Sequence, residues 1–106
     1  MNKLLENIMG EGRKDDDGKV RLDLVPPSAI LAIGEIMTHG AKKYGENNWQ
    51  NLSDGVTRYY SACQRHLLSW RLGVEKDRDS GMPHLWHALC NLAFMVALSQ
   101  GGAPGE

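Results

Sequence analysis

Asp77-Arg78-Asp79-Ser80-Gly81-Met82-Pro83-His84-Leu85-Trp86-His87-Ala88-Leu89-Cys90-Asn91 puts two carboxylates just before a helix start. It then sets His84, His87 and Asn91 at i, i+3 and i+7, which is one face of that helix. Proline suits a first turn, so the helix is predicted to begin between residues 80 and 83 and to end at Gly101-Gly102. Its apolar line is Leu85, Leu89, Leu92 and Val96. A polar face on an otherwise apolar helix has two readings. It is either a buried hydrogen-bonded network that fixes packing, or a site for a metal and a phosphorylated ligand.

Two more helices are predicted upstream. In the first, Pro26-Pro27-Ser28 marks the start, with Ser28 as cap, and apolar residues recur at Ile30, Ile33 and Met37 as far as about Lys43, with Gly45 closing the end. A polar loop carrying Trp49 follows. Ser53 or Asp54 then caps a second helix, whose line Val56, Tyr60, Cys63, Leu67, Trp70 falls at helical spacing and ends near Gly73. Residues 20–25 could be extended because they abut Pro26. The fold class is all-α. Three helices of this length bury only part of their apolar faces, so a small helical bundle completed by oligomerisation, as a homodimer or homotetramer, is expected.

A chain of 106 residues holds one domain. Residues 10–19 are densely charged with no hydrophobic period. Residues 1–19 are therefore predicted to be a mobile arm, 20–100 the helical domain, and 101–106 a flexible tail. Twelve Lys and Arg against 13 Asp and Glu give a formal charge of −1, which supplies no global basic field for nucleic acid. Cys63 and Cys90 lie in apolar segments without CxxC spacing, and so read as small buried hydrophobes in a reducing compartment. No apolar run reaches the roughly 18 residues of a membrane span. The expected location is cytoplasmic.

Several constellations could carry chemistry. Glu35 and His39 share a face of the first helix, with Lys42 and Lys43 in its last turn. Lysines there complement the helix dipole, yet Glu35 sits between Ile33 and Ile36, where a carboxylate is either at the solvent edge or held by a cation such as Mg2+ or Mn2+. Arg58, Arg65 and His66 lie on the second helix, and arginine forks match phosphate oxygens, although two arginines on a helix are more often ordinary surface charge. Asp77 and Asp79 could cap the third helix or bind metal. Walker A, GxGxxG and GxSxG sequences are absent, and two histidines at i, i+3 are not the HExxH zinc arrangement.

Five segments in order carry a resemblance. Gly18-Lys-Val-Arg21-Leu-Asp23-Leu-Val-Pro26-Pro27, Gly40-Ala-Lys42-Lys43-Tyr44-Gly45, Asn47-Asn48-Trp49, Arg65-His66-Leu-Leu-Ser-Trp70, and Asp77-x-Asp79-Ser80-Gly81 to His84-x-x-His87-x-x-x-Asn91 resemble the phage and bacterial dATP/dGTP diphosphohydrolase family. That family includes the MazZ-type enzymes, relatives of the MazG-like all-α nucleotide pyrophosphohydrolases. The resemblance implies an all-α NTP pyrophosphatase-like fold and hydrolysis of dGTP or dATP to the monophosphate and pyrophosphate with Mg2+ or Mn2+. In phages with 2-aminoadenine DNA, it implies a supply of dGMP. The wider superfamily holds its cations with ExxE on one helix and ExxD on the next; this chain has His87, Ala88 and Asn91 where the last helix would be acidic.

Local chemistry then assigns expected roles. Glu35, Asp77 and Asp79 are the candidate metal ligands, with Glu35, Asp79, His84 and His87 the candidate catalytic groups. Lys43 and Arg65 would neutralise phosphate, while Asn47, Asn48, Trp49 and Asn91 would contact the substrate. The rival readings are a non-catalytic purine-nucleotide-binding regulator and a helical interaction module.

Overall fold

The structure, a computed structural model, describes residues 13–100. It contains three long helices: α1 (Pro27–Tyr44), α2 (Gly55–Arg71) and α3 (His84–Gln100), with short 3-10 turns at Leu22–Leu24 and Asn48–Asn51. Among the described residues the only β-type pairing is one isolated bridge between Lys76 and Pro83. The fold is all-α, as the periodicity predicts. Residues 1–12 of the expected arm and the 101–106 tail lie outside the described residues. So does the Gly101-Gly102 stop.

Backbone chemistry sets the helix ends. Pro26 is the extended cap of α1 and Pro27 its first residue, where a missing N–H costs nothing because that donor has no intrahelical partner. Ser28, expected as the cap, is therefore inside the helix. Gly45, at φ 96°, ends it by donating its N–H to the Ala41 carbonyl at 2.8 Å. Asp54 caps α2 without a side-chain hydrogen bond and in the left-handed region. Gly55 follows because a Cβ there would stand 3.1 Å from Leu98 Cδ1, so glycine lets α2 approach α3 closely. The third helix starts at His84, just past the predicted window.

The third helix packs against α2 most extensively and against α1 as well. Its position between the two corrects the sequence-based core. The buried residues of α3 are His84, Ala88, Cys90 and Asn91, whereas Leu85, Leu92 and Val96 are 41%, 46% and 49% exposed. The expected apolar line lies roughly 100° around the helix from the buried face. Small and hydrogen-bonded residues admit close helix approach on two sides, so the bulky leucines are left on the third. On α1 the core is Ala32 and Ile36, with Ile30 and Met37 exposed. Cys63 and Cys90 are buried free thiols, as expected. No described helix is long and apolar enough to cross a membrane.

Candidate functional site

A single loop builds one wall of the site. Between α2 and α3, Asp77 N–H donates to the Met82 carbonyl and Gly81 N–H donates back to the Asp77 carbonyl, both at 2.8 Å. Gly81 sits at φ 75°, a conformation that favours glycine. Asp77 Oδ2 accepts the Ser80 N–H at 2.8 Å, and Ser80 Oγ accepts the Met82 N–H at 3.1 Å. The serine hydroxyl then keeps a proton for His87 Nε2, 2.6 Å away. This hydrogen-bonded loop holds Asp77 against three imidazoles.

The imidazoles come from two helices. His66 of α2 faces His84 of α3, Nδ1 to Nδ1 at 2.8 Å, and its ring stacks on His87 with centroids 4.6 Å apart. Ligand atoms of His66, Asp77 and His84 all lie within 4.8 Å of one another. Burial first, then the neighbouring His87 and His84, push the His66 imidazole down to about 4. His87 is also lowered by burial, although Asp77 opposes the shift. Burial would raise Asp77, but the hydrogen bonds from Ser80 outweigh it and hold the carboxyl below its usual value. Neutral imidazoles beside a carboxylate are competent donors to a divalent ion.

The cluster opens onto a cleft of about 780 Å3, within the roughly 300–1,000 Å3 typical of small-molecule sites. The cleft has two chemically distinct ends. Lys43 with Asp79, and Asp77 with His66 and His87, make one end charged, while Trp49 and Tyr59 pack on Phe94 about two helical turns further along α3 and make the other aromatic; Arg58 and Arg65 also line the cleft. Lys43 Nζ donates to Asp79 Oδ2 at 2.7 Å across 36 residues of sequence, and that hydrogen bond raises the lysine pKa. At the aromatic end Trp49 stacks on Phe94, centroids 4.8 Å apart and 10° from parallel, while Tyr59 donates its hydroxyl proton to the Trp49 carbonyl at 2.9 Å. Cys90 also lines the cleft, but burial pushes its thiol up to about 11, which suits a core residue and not a thiolate nucleophile.

Most of the expected site residues converge. Lys43, Asn47, Asn48, Trp49, Arg65, Asp77, Asp79, His87 and Asn91 all line the cleft. His84 does not; it is buried and reaches the site through His66. Asn91 donates its side-chain N–H to the His87 carbonyl at 2.9 Å, within its own helix. Glu35 is exposed on α1 and outside the cleft lining, so it is not gathered with Asp77 and Asp79. Sequence reasoning did not place His66, Tyr59 or Phe94 in the site. A signal for His66 exists in Tyr59, Ala62, His66 and Ser69, an inward face at i, i+3, i+7 and i+10 that the apolar line of α2 obscures.

Residues 9–103 match the family model described as dATP/dGTP diphosphohydrolase, N-terminal. The chain belongs to this family. A dATP/dGTP diphosphohydrolase from Salmonella phage PMBT28 is 33% identical over 87 residues, covering 82% of this chain and 29% of that relative. The chain thus spans under a third of the length of the diphosphohydrolase that it matches. No solved structure matches it. The matched residues contain the whole cleft of this family member, from Ile36 to Phe94.

Proposed function

We propose that this cleft takes a purine deoxynucleoside triphosphate and hydrolyses it to the monophosphate and pyrophosphate. The observation that carries the reading is the cleft's polarity, with the Lys43–Asp79 pair and the Asp77–histidine group at one end and the Trp49–Phe94–Tyr59 cluster at the other. A triphosphate and a purine need that separation. Lys43 and Arg65 neutralise phosphate oxygens, and Asn47, Asn48 and Trp49 contact the base. The name of the phage relative supports dATP and dGTP as the substrates to test. The dGMP product would serve 2-aminoadenine DNA synthesis if the source is such a phage.

The donor set fits a divalent cation, Mg2+ or Mn2+, because Asp77 and Asp79 line the charged end. Such an ion supplies charge neutralisation on the triphosphate and activation of the attacking water. Asp77 would hold it, and Asp79 would join by leaving Lys43, which then turns to phosphate. His87, bonded to Ser80, orients the water or the carboxylate. Glu35 is a ligand only if α1 turns it towards the charged end. Glu35→Ala and Asp79→Ala therefore separate the two carboxylates, since full metal-dependent turnover in either variant removes that residue from the site.

The apolar residues left exposed on α3 support a homo-oligomer that covers them. A second reading, nucleotide binding without hydrolysis, is favoured by His87, Ala88 and Asn91 standing where relatives of the wider superfamily carry acids. One assay decides between them. The protein is incubated with each of the four dNTPs and Mg2+ or Mn2+, and mono-, di- and inorganic phosphates are resolved. Pyrophosphate release from dATP or dGTP supports hydrolysis; saturable binding with no release leaves the binding reading.

A further inference from the structure

We infer that His66, Asp77 and His84 form a mixed nitrogen and oxygen site for a first-row transition-metal dication of the Mn2+ to Zn2+ class, in preference to Mg2+. The inference deepens the hydrolytic reading by naming the class of ion, but its test does not require hydrolysis. Three observations meet here. The ligand atoms of these three residues lie within 4.8 Å of one another. They come from α2, the connecting loop and the first residue of α3, so the cluster is a product of tertiary packing. Two of the donors, Asp77 and His66, are also held from behind, and the third, His84, is buried.

The support for Asp77 and His66 is specific. Asp77 is fixed by the Ser80 N–H at 2.8 Å, and its side chain is only 22% exposed, against 71% for Asp79. His66 is held by the stacked His87 ring, which is in turn bonded to Ser80 Oγ. Such outer partners orient ligands in metal sites. Bonds of about 2.0–2.2 Å place adjacent ligands about 3.0–3.5 Å apart. The Nδ1 atoms of His66 and His84 stand at 2.8 Å. An ion between them takes the place of the shared proton, which moves to Nε2 of the donating ring, and the pair opens slightly while Asp77 closes in.

The donor chemistry selects the ion. Imidazole nitrogen binds borderline dications well, whereas Mg2+ demands oxygen ligands and keeps its waters. Two histidines and one carboxylate leave positions open. His66 and Asp77 face the cleft, so those positions face the expected triphosphate.

The test is Co2+ and Mn2+ binding to the full chain, followed by visible absorption and by imidazole NMR signals. One Co2+ per chain is expected, with ligand-field absorption and an affinity at least tenfold above that for Mg2+. His66→Ala and His84→Ala should each weaken Co2+ at least tenfold. His39→Ala removes a histidine that lines the same cleft but is not one of the three donors, and should leave Co2+ affinity unchanged. If a variant fails to fold, the unsubstituted protein decides: substoichiometric Mn2+ should broaden the His66, His84 and His87 signals before that of His39. Equal broadening, no ligand-field band, or unchanged affinity in folded His66→Ala overturns the site. Pyrophosphate release with Mg2+ and no Co2+ site would end this inference and keep hydrolysis; a Co2+ site with no release under any ion would do the reverse.

Discussion

His66 Nδ1 and His84 Nδ1 stand 2.8 Å apart across the α2–α3 interface, so one nitrogen donates a proton and the other accepts it. His84 is buried. His84→Ala therefore leaves a part-buried ring nitrogen without its partner, and a loss of about 1–3 kcal/mol of unfolding free energy is expected. Urea denaturation measures it. An unchanged midpoint would show that the pair contributes nothing to folding.

Acid should destabilise the metal-free protein through the same pair. His66 is held at about 4 in the folded chain, and an unfolded histidine titrates near 6.5. The unfolded chain therefore takes up protons first as the pH falls. Stability from this group is complete above about pH 6.5 and declines from there towards pH 4. Melting temperatures in chelator across pH 7.5 to 4 should show the decline, with a shallower slope in His66→Gln. Equal slopes in the two proteins would sink the assignment.

Lys43 and Asp79 make a bridge whose side chains are 44% and 71% exposed. Exposed pairs contribute at most about 1 kcal/mol, so Lys43→Ala should hardly change stability. Loss of a charged phosphate partner, by contrast, should weaken dNTP binding roughly tenfold or more. Calorimetric titration beside a thermal melt separates the two effects. A destabilised variant that binds normally would make Lys43 a structural residue and not a phosphate partner.

Gly81→Ala places a side chain at φ 75°. The strain should cost about 1 kcal/mol or more and loosen the turn that fixes Asp77 and Ser80. Chemical denaturation reads the first effect, and a drop in Co2+ affinity reads the second.

Trp49→Ala removes the parallel stack on Phe94, a pair contributing about 0.5–1.5 kcal/mol beyond its buried area. Trp49→Phe should recover most of the stability. If Trp49 also contacts the base, Trp49→Ala raises KM for purine substrates more than it lowers kcat.

Helix existence was legible because Pro26-Pro27, Gly45, Gly73 and Pro83 act through the local backbone. The rotation of α3 was not. Leu85, Leu89, Leu92 and Val96 form the most hydrophobic line, but a helix flanked by two neighbours buries whatever lets both approach, here Ala88, Cys90 and hydrogen-bonded His84 and Asn91. The polar face thus carried the packing information, and the ligand-site and packing readings of it are compatible. Lys43 and Asp79 belong to separate sequence motifs, and their meeting depends on the docking of α1, which no spacing within one helix reveals. His66 was hidden differently, between Arg65 and an apolar line that drew attention to Cys63 and Leu67.

The histidine cluster has a kinetic corollary. His66 and His84 are separated by 18 residues, with Asp77 between them, and all belong to the hairpin formed by α2, its loop and α3. Contacts so local in sequence have a low loop-closure cost and form early. The charged end of the cleft can thus be assembled during folding before α1 arrives with Lys43, and a dication present at that moment would act as a nucleus for the hairpin.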